Sequence, residues 1–468
     1  MLRRTFMTLA GGIGILSSTQ TTTAETTTSS NSYDIYPDDD DATIQAALDD
    51  MSVVEAAPGD YCLSRDLVIP NHTTLRGAGE HRTAFHAEGP YQFENEDRPT
   101  TDITVERLTI DGHNHGANGL KLASCHDVTV RDVTVRNCGT RDSSESNAGG
   151  IHARVNLDDD AGDILVERVT AENCSAVSID CGGSAQSAGP VMVRDCEVRY
   201  PNRSNRFTHG ISVESVAGAS VKRCRLVEND GAQLGINVNY CRDTVVEDCE
   251  VVGWKNAVHN YNARHEADVT VQGCTFRGLE GVGFKVQPAG DDSYRNEIAD
   301  CRIDGCDIAI QGRHGGAVDV YDCDIRDARK AIKINDITTA VTVRDVDVRD
   351  GRAENERTVQ IKGEPDPSRD QYSYIANVFV DVTSGYMVVG MPGGVTSSTI
   401  LGSWGEVGSG GSLKMATNRA YVSGNTLGGH LKNADNCITR DNVTGVRARD
   451  DDHPEDGCTT NEVGQQNK

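Results

Sequence analysis

A short hydrophobic repeat is the clearest pattern along the chain. An aliphatic residue is followed by two other residues, a cysteine or aliphatic residue, one other residue and a further aliphatic residue. The repeat occurs at Val105-Leu108-Ile110, Val130-Val133-Val135, Val166-Val169-Ala171, Val193-Cys196-Val198, Val221-Cys224-Leu226, Val246-Cys249-Val251, Val271-Cys274-Phe276, Ile298-Cys301-Ile303, Val320-Cys323-Ile325 and Val343-Val346-Val348. From Cys196 to Cys323 the repeat cysteines are 28, 25, 25, 27 and 22 residues apart. Each unit therefore has a period of about 25 residues.

Each unit also carries a second short strand of alternating character. Examples are Gly210–Glu214, Gly235–Asn239, Gly283–Gln287 and Ala331–Asn335. Helical repeats would instead place apolar residues at i, i+3, i+4 and i+7 over ten or more residues. Short strands stacked at this period predict an all-β fold, a single-stranded right-handed parallel β-helix. A β-propeller would need blades of about 40 residues with an aromatic signature that the chain lacks.

The N-terminal part of the pattern predicts how the coil begins. Ile44, Ala47, Leu48 and Met51 lie on one face of a predicted helix, which we interpret as a cap over the apolar end of the coil. Together with Pro58–Tyr61 and Leu75–Gly79, this stretch resembles the first coils of pectate-lyase-like proteins. The resemblance implies the pectin lyase fold over roughly residues 35–445.

The chain divides into four predicted segments. Residues 1–32 contain the pair Arg3-Arg4, an apolar stretch and a Ser/Thr-rich spacer, which predict a twin-arginine export signal. Residues 33–102 form the cap and first coils, and 103–445 form the β-helix. Residues 446–468 form an acidic tail that we expect to be disordered. The protein is accordingly expected to be secreted or held at the cell surface, and to be a monomer.

The charge of the chain limits its possible binding partners, and its cysteine content predicts part of the core. The 45 Lys and Arg residues and 71 Asp and Glu residues give a net charge of −26, which argues against a nucleic-acid partner. A surface this acidic suggests adaptation to concentrated salt. No apolar run of the predicted mature chain is long enough to span a membrane. Six of the 15 cysteines, the repeat cysteines from Cys196 to Cys323, fall at the same inward position of successive units, where we expect a column of buried free thiols.

The outward residues of the second strands predict a polar face. The expected first column is Lys121, His152, Ser178, Ser212, Asn237, His259, Lys285, Ala309, Lys333 and Gln360. The expected second column is Ala123, Arg154, Asp180, Glu214, Asn239, Tyr261, Gln287, Gln311, Asn335 and Lys362. Neighbours within a column are expected about 4.8 Å apart, and the columns about 6.6 Å apart. A basic loop at 200–209 and an insertion at 139–149 would border this face and form a groove suited to an acidic polysaccharide.

Two reactions can be built from these residues. In β-elimination of a uronic-acid polymer, Lys285 is the base and His259 supplies or relays a proton, while Asp180 and Glu214 share a cation such as calcium. In glycoside hydrolysis, Asp180 and Glu214 form a retaining carboxylate pair. The expected substrate contacts are His209, Arg203, Arg206, Asn237, Asn239, Arg313 and Lys333. We predict a polysaccharide lyase first.

One segment resembles a second family of the same fold. Thr208–Val213 resembles the Gly-His-Gly-Ile-Ser segment of polygalacturonases, in which the histidine lies beside the catalytic acids. The paired Asp expected one rung earlier is missing, because Asp180 is followed by Cys181, and the Arg-Ile-Lys expected one rung later is replaced by Asn237–Asn239. A uronan epimerase of the same fold and a non-catalytic polysaccharide-binding protein stay open as alternatives.

Overall fold

The computed structural model describes residues 32–95, 100–115, 118–139, 149–155, 162–183, 190–199, 208–228, 232–263, 268–288, 295–313, 316–337, 340–351 and 357–363, and from residue 371 onwards the strands alone. Within these residues there is one helix, α1 (Asp41–Asp50). The first strands are β1 (Ser32–Ile35), β2 (Val53–Ala56), β3 (Gly59–Leu63), β4 (Leu67–Ile69), β5 (Thr74–Gly77), β6 (Thr83–Ala87), β7 (Phe93–Asn95), β8 (Thr100–Asp111), β9 (Leu120–Ala123), β10 (Cys125–Arg136), β11 (Ile151–Val155), β12 (Ile164–Glu172), β13 (Val177–Gly183) and β14 (Val191–Arg194).

The middle coils contain β15 (Glu197–Arg199), β16 (His209–Glu214), β17 (Ser220–Lys222), β18 (Arg225–Val227), β19 (Leu234–Asn239), β20 (Thr244–Glu247), β21 (Glu250–Val252), β22 (Asn256–Ala263), β23 (Val269–Gln272), β24 (Thr275–Arg277), β25 (Val282–Pro288), β26 (Arg295–Ala299), β27 (Arg302–Arg313), β28 (Ala317–Ile337), β29 (Ala340–Gly351) and β30 (Arg357–Gly363). The last strands are β31 (Gln371–Val382), β32 (Tyr386–Gly390), β33 (Val395–Leu401), β34 (Trp404–Gly405), β35 (Ser412–Ala416), β36 (Ala420–Ser423), β37 (Thr426–Leu427), β38 (His430–Lys432), β39 (Cys437–Arg440), β40 (Val443–Thr444) and β41 (Thr459–Thr460).

The strands pair in parallel, each with a strand about one repeat later, so the chain winds into the predicted β-solenoid. The pairings fall into three series. Ladder 1 contains β2–β5 and β17–β20, ladder 2 contains β3–β6 and β18–β21, and ladder 3 contains β11–β13 and β16–β19. The longer strands, such as β10 and β28, bend from one ladder into the next.

The corner between ladders 1 and 2 explains the spacing of the repeat. The residue just before the fourth repeat position has a left-handed backbone, for example at Asp195 (φ 54°), Asp248 (φ 53°) and Asp322 (φ 53°). Aspartate adopts this conformation more readily than most residues, so it turns the chain at little cost. The turn directs the next side chain, usually a cysteine, into the core.

The repeat cysteines stack as predicted. Cys196, Cys224, Cys249, Cys274, Cys301 and Cys323 are all buried and free. The backbone N–H of Cys249 donates to Cys274 Sγ at 3.5 Å, and the Cys249 thiol donates to the Glu247 carbonyl at 3.3 Å. The column of free thiols is therefore confirmed for these six residues, which act as small apolar groups of a continuous core.

The helix predicted near the N-terminus is present. α1 begins after Asp40, whose carboxylate accepts a hydrogen bond from the Thr43 backbone N–H at 2.8 Å. Ile44, Ala47 and Leu48 are buried in the core cluster, as the pattern predicts.

Opposite charges alternate along the outside of ladder 1. Glu55, Arg76, Glu106, Arg131, Glu167 and Arg194 are register neighbours on successive rungs. Arg76 Nη1 lies 2.8 Å from Glu55 Oε1, and Arg194 Nη2 lies 2.6 Å from Glu167 Oε2. Glu106, which is 2% exposed, is bonded by both Arg76 and Arg131. We call these six residues the ion ladder.

Candidate functional site

The outer face of ladder 3 carries the polar side chains predicted from the sequence. The strand registers define its first column as Lys121, His152, Asp180, Ser212, Asn237, His259, Lys285, Gln311, Lys333 and Gln360. They define its second column as Ala123, Arg154, Gly182, Glu214, Asn239, Tyr261, Gln287, Arg313 and Asn335. Both columns mix amides with cations, as expected, and the two imidazoles, His152 and His259, lie in the first column.

Two rungs differ from the predicted columns. Asp180 pairs with Ser212 and belongs to the first column, whereas Ser178 is fully buried. Likewise, Gln311 stands in the first column and Ala309 is buried. Both errors are shifts of two residues along the strand. Such a shift keeps each side chain on its face, so the alternating pattern does not reveal it.

A buried ion network surrounds Asp180, which is 2% exposed. Asp180 Oδ2 accepts a hydrogen bond from Arg154 Nη2 at 2.9 Å and lies 2.9 Å from His152 Nδ1. Burial alone would raise the pKa of Asp180, but His152 and Arg154 outweigh it and hold that pKa below its usual value. Asp180 is therefore an ionised group that anchors two neighbouring side chains.

Arg154 also links Asp180 to Glu214. Its Nη2 donates to Glu214 Oε2 at 2.7 Å, and Asn239 Nδ2 donates to Glu214 Oε1 at 3.0 Å. In the second column Arg154 and Glu214 are separated by Gly182, which has no side chain to block the contact. The guanidinium thus occupies the space between the two carboxylates. A shared calcium ion does not fit this arrangement, because the Arg154 guanidinium already bridges the two carboxylates.

The predicted substrate contacts next to this network are brought together. His209 begins β16, and burial lowers its pKa to about 4, against the opposing effect of Asp180. Asn237 Nδ2 donates to Ser212 Oγ at 3.1 Å. Asn237 and Asn239 both lie on β19, Asn237 in the first column and Asn239 in the second. Arg203 and Arg206 lie outside the described residues, as do 140–148 and the rest of the 200–207 loop.

A second group of side chains lies further along the same face. His259 is 6% exposed and pairs in register with Lys285, so the expected order Asn237, His259, Lys285 is confirmed. Lys285 is three rungs from Glu214, about 14 Å at the spacing of parallel strands. The four predicted catalytic residues therefore form two separate pairs.

Electrostatics distinguish this second group. Burial, with contributions from Lys285 and His209, lowers the pKa of His259 to about 3, so its imidazole is neutral at physiological pH. Burial also lowers the pKa of Lys285, and the nearby Arg313 and Lys255 add to this effect. The pKa of Lys333 is lowered by burial and by Lys330 and Arg313. Several cations thus crowd one region of an otherwise acidic protein.

Three residues of the face were not among the predicted site residues. His152 and Arg154 complete the Asp180 network, and Tyr261 lies beside His259 with ring centroids 5.3 Å apart. Tyr261 is 38% exposed, unlike the histidine it contacts. Their outward parity was visible in the sequence. The partners of His152 and Arg154 were not visible, because these contacts join residues 26 to 60 positions apart. Tyr261 and His259 are two positions apart on one strand.

Comparison with known proteins assigns the fold family. The family described as right handed beta helix region matches residues 96–276 and 234–363, which together are more than half of the chain. The chain is a right-handed β-helix protein. No helix in the described part of this β-helix protein is long and apolar enough to cross a membrane.

Relatives of known description are distant. The β-helix protein is 24% identical over 183 residues to the preneck appendage proteins of Bacillus phages PZA and phi29, covering 35% of this chain and 21% of each of theirs. The matched stretch thus spans about a fifth of the length of these curated relatives.

Solved structures with similar coils include the A-module of the mannuronan C-5 epimerase AlgE6 from Azotobacter vinelandii (13% identity, TM-score 0.39, covering 87% of this chain and 96% of that one). Another is the pre-mature gene product 12 of bacteriophage phi29 (11%, 0.44, 87% and 70%). A third is the catalytic unit of the GH87 α-1,3-glucanase from Streptomyces thermodiastaticus (13%, 0.37, 88% and 66%).

Proposed function

We propose that this β-helix protein acts on an acidic polysaccharide, and that the reaction is β-elimination at the His259–Lys285 pair. The observation that carries the proposal is the clustering of Lys285, Arg313 and Lys333 beside a neutral histidine on one face of a protein of net charge −26. A dense local positive charge on an acidic protein suits a carboxylated ligand. The extended, flat strand face suits a polymer better than a small metabolite.

In the proposed reaction, Arg313 and Lys333 pair with the uronate carboxylate and thereby acidify the proton at C5. Neutral Lys285 takes that proton on Nζ, and the C5–H electron pair forms the C4–C5 double bond as the C4–O4 bond breaks. The departing O4 keeps the electron pair of that bond and takes the N–H proton of neutral His259. The resulting imidazolate takes a proton from solvent water by way of the exposed Tyr261 hydroxyl, and Lys285 returns its proton to solvent. The lowered pKa of Lys285 increases the fraction of amine that is free to act as the base.

Hydrolysis at Asp180 and Glu214 fits the geometry less well. A retaining glycosidase needs one carboxylic acid that stays protonated near neutral pH, and therefore has a raised pKa. Asp180 has a lowered pKa, is almost completely buried and is bonded to Arg154, which also bonds Glu214. We assign this network to holding β11, β13 and β16 in register and positioning the outward side chains next to it.

Epimerisation at C5 would use the same base, and simple binding would use only the cations. The experiment follows products from pectate, alginate and related polymers in high salt. Ultraviolet absorbance from unsaturated uronate ends supports elimination. A changed C5 configuration in nuclear magnetic resonance spectra without chain cleavage would indicate epimerisation, and retention on a polymer column without any product would indicate binding alone.

Variants at Lys285 distinguish its role as the catalytic base from its role as a positive charge that binds polymer. Lys285→Arg keeps the positive charge but lacks a readily lost proton, so polymer retention persists while product formation falls by at least about 100-fold, the usual scale for removing a general base. Lys222→Arg is the matched control, because Lys222 is an ion-paired surface lysine of ladder 1. Full turnover by Lys285→Arg would contradict the assignment of the base.

Two further parts of the proposal concern the export of the protein and the N-terminal cap of its coil. Acting on an extracellular polymer fits secretion through the twin-arginine signal predicted in residues 1–32, of which 1–31 lie outside the described part of the chain. We also propose that α1 caps the coil, because Ile44 and Leu48 are buried against its first rungs. Leu48→Asp should then expose the apolar end and produce aggregation, measured by light scattering, whereas the exposed Asp49→Ala should not.

A further inference from the structure

A cluster of two histidines and one carboxylate lies on ladder 2, away from the face described above. His86 is on β6, Asp111 ends β8, and His113 follows in the turn after that strand. His86 Nδ1 lies 3.2 Å from His113 Nε2 and 3.9 Å from Asp111 Oδ2, and His113 Nε2 lies 3.7 Å from the same oxygen. Three potential metal-binding atoms thus converge on one point.

The size of this triangle matches a tetrahedral metal centre. Zinc binds imidazole nitrogen at about 2.0–2.1 Å, which places two ligands of a tetrahedron about 3.3 Å apart. The observed separations of 3.2, 3.7 and 3.9 Å need to contract only slightly at two edges. Nitrogen and carboxylate donors in this combination suit zinc and neighbouring divalent transition metals better than magnesium or calcium.

The surrounding hydrogen bonds orient the three groups for this role. His86 Nε2 lies 3.0 Å from Asp60 Oδ1, so a proton on Nε2 leaves Nδ1 with its lone pair directed at Asp111 and His113. A carboxylate on the far nitrogen of a metal-binding histidine is the usual arrangement. The cluster therefore has both a coordinating triangle and the outer partner that fixes its tautomer.

Asp111 is 4% exposed, and three hydrogen bonds fix the position of its carboxylate. Its Oδ1 accepts hydrogen bonds from the His113 backbone N–H and from Asn137 Nδ2, each at 3.0 Å. Its Oδ2 accepts one from Arg136 Nε at 2.7 Å. Because a carboxylate oxygen has two lone pairs, Oδ2 can keep Arg136 as a partner and still bind a metal.

The turn that carries His113 has an unusual backbone. His113 (φ 48°) and Asn114 (φ 63°) are consecutive non-glycine residues in the left-handed region. This conformation places the imidazole of His113 back over Asp111, the residue two positions earlier. Consecutive left-handed residues are uncommon outside sites where the surrounding structure requires them.

We propose that His86, Asp111 and His113 form a three-ligand site for zinc or a similar divalent transition metal, with Asp60 as the outer partner of His86 and the fourth coordination position open to water. Three protein ligands with one open position distinguish this arrangement from closed structural zinc sites. The site is independent of the proposed polysaccharide face, so either proposal can fail without the other.

The test is metal binding to the full-length chain after removal of metal with a chelator. Cys62 is exposed and pairs in register with His86, so the titrations use the Cys62→Ser chain to remove this neighbouring thiol as a competing ligand. We expect one zinc ion bound per chain by calorimetry. We expect cobalt(II) to give the visible absorption of a four- or five-coordinate ion without sulfur-to-metal charge transfer.

Variants distinguish this site from adventitious binding. His113→Ala and His86→Ala should each weaken zinc binding by at least about 100-fold, and Asp60→Asn by about 10- to 100-fold, the range typical of outer partners. The control is His72→Asn, because His72 lies 3.5 Å from Asp102 on the surface and belongs to no group of three potential metal ligands among the described residues. Zinc binding that survives His113→Ala undiminished, or a parent chain that binds no zinc, would overturn the proposal. Circular dichroism checks that each variant is folded.

Discussion

Arg154 Nη2 donates a hydrogen bond to Glu214 Oε2 at 2.7 Å, although the two residues are 60 positions apart in the sequence. They are two rungs apart on ladder 3, and the rung between them contributes Gly182 to their column. A Cβ atom at position 182 would lie 2.4 Å from the Glu214 carbonyl oxygen. The contact therefore depends on a residue that contributes no side chain of its own.

Gly182→Ala should destabilise the protein by about 1–3 kcal/mol, the usual cost of inserting a methyl group into a packed site, because backbone must move to admit it. Gly312→Ala is the control, since a Cβ there meets its neighbours at an ordinary 3.5 Å. Urea unfolding followed by circular dichroism measures both. Equal urea midpoints of unfolding for Gly182→Ala and the parent protein would contradict this prediction, because they would show that the backbone admits the methyl group at no cost.

Arg154→Ala should cost about 3–5 kcal/mol of unfolding free energy, because it leaves the buried Asp180 carboxylate without its guanidinium partner. Adding Asp180→Asn to that variant should recover part of the loss, since the amide carries no charge to compensate. Chemical denaturation of the single and double variants gives the coupling between the two residues. Strictly additive losses would argue against a shared network.

Acid should destabilise the protein through Glu106 of the ion ladder. Burial alone would raise the pKa of Glu106, but hydrogen bonds from Arg76 and Arg131 outweigh it and lower that pKa below 4.5. A folded pKa below the unfolded one gives stability that is fully present above the unfolded value and is lost as the pH falls through the folded value. The loss should therefore begin as the pH falls below about 5.

Glu106→Gln should lower the free energy of unfolding at neutral pH by about 1.5–3 kcal/mol, the range for hydrogen bonds to charged groups. It should also flatten the decline of stability between about pH 5 and pH 3, because the titrating group is gone. Glu280→Gln, at an exposed position, should leave both unchanged. If the stability of Glu106→Gln declines between about pH 5 and pH 3 as steeply as that of the parent, Glu106 is not the cause of the acid sensitivity.

The stacked cysteines should resist modification until the chain unfolds. The six column thiols are at most 2% exposed, so a reagent in solution cannot reach them while the protein is folded. With a colorimetric thiol reagent, Cys62→Ser should remove one rapidly reacting thiol from the native protein. Cys249→Ser should remove none from the native protein and one in denaturant. If Cys249→Ser removes a rapidly reacting thiol from the native protein, the column is accessible to the reagent without unfolding.

The rate of the proposed elimination should rise with pH until Lys285 has lost its proton, at a pKa below the ordinary 10.5 for lysine. Arg313→Gln removes one of the neighbouring cations that lower this pKa, so it should shift the rising limb to higher pH. It should also raise KM, because the same cation is assigned to the substrate carboxylate. A pH–rate profile over polymer concentration separates the two effects. An unshifted limb would contradict the assignment of Lys285 as the base.

The sequence was sufficient to predict the coil and the thiol column, because inward positions repeat with every turn and hydrophobic burial selects them. Cys196 to Cys323 could be aligned from spacing alone. The positions of Asp180 and Gln311 could not, since a slip of two residues preserves the alternation between inside and outside. Strand length and backbone pairing decide that choice.

The contacts between outward residues were also beyond the pattern. Predicting the Arg154 bridge requires knowing that Gly182 lies between its partners. The His86 and Asp111 pair follows the 25-residue period, but the position of His113 depends on two left-handed turn residues.

The ion ladder has a consequence for how such a chain changes length over evolution. The backbone repeats every coil, but the charges from Glu55 to Arg194 repeat every two coils. Duplication or deletion of a single coil there would place like charges side by side at about 4.8 Å. Gain or loss of two coils preserves every attractive neighbour. Lineages of this wall should therefore lengthen and shorten in even steps.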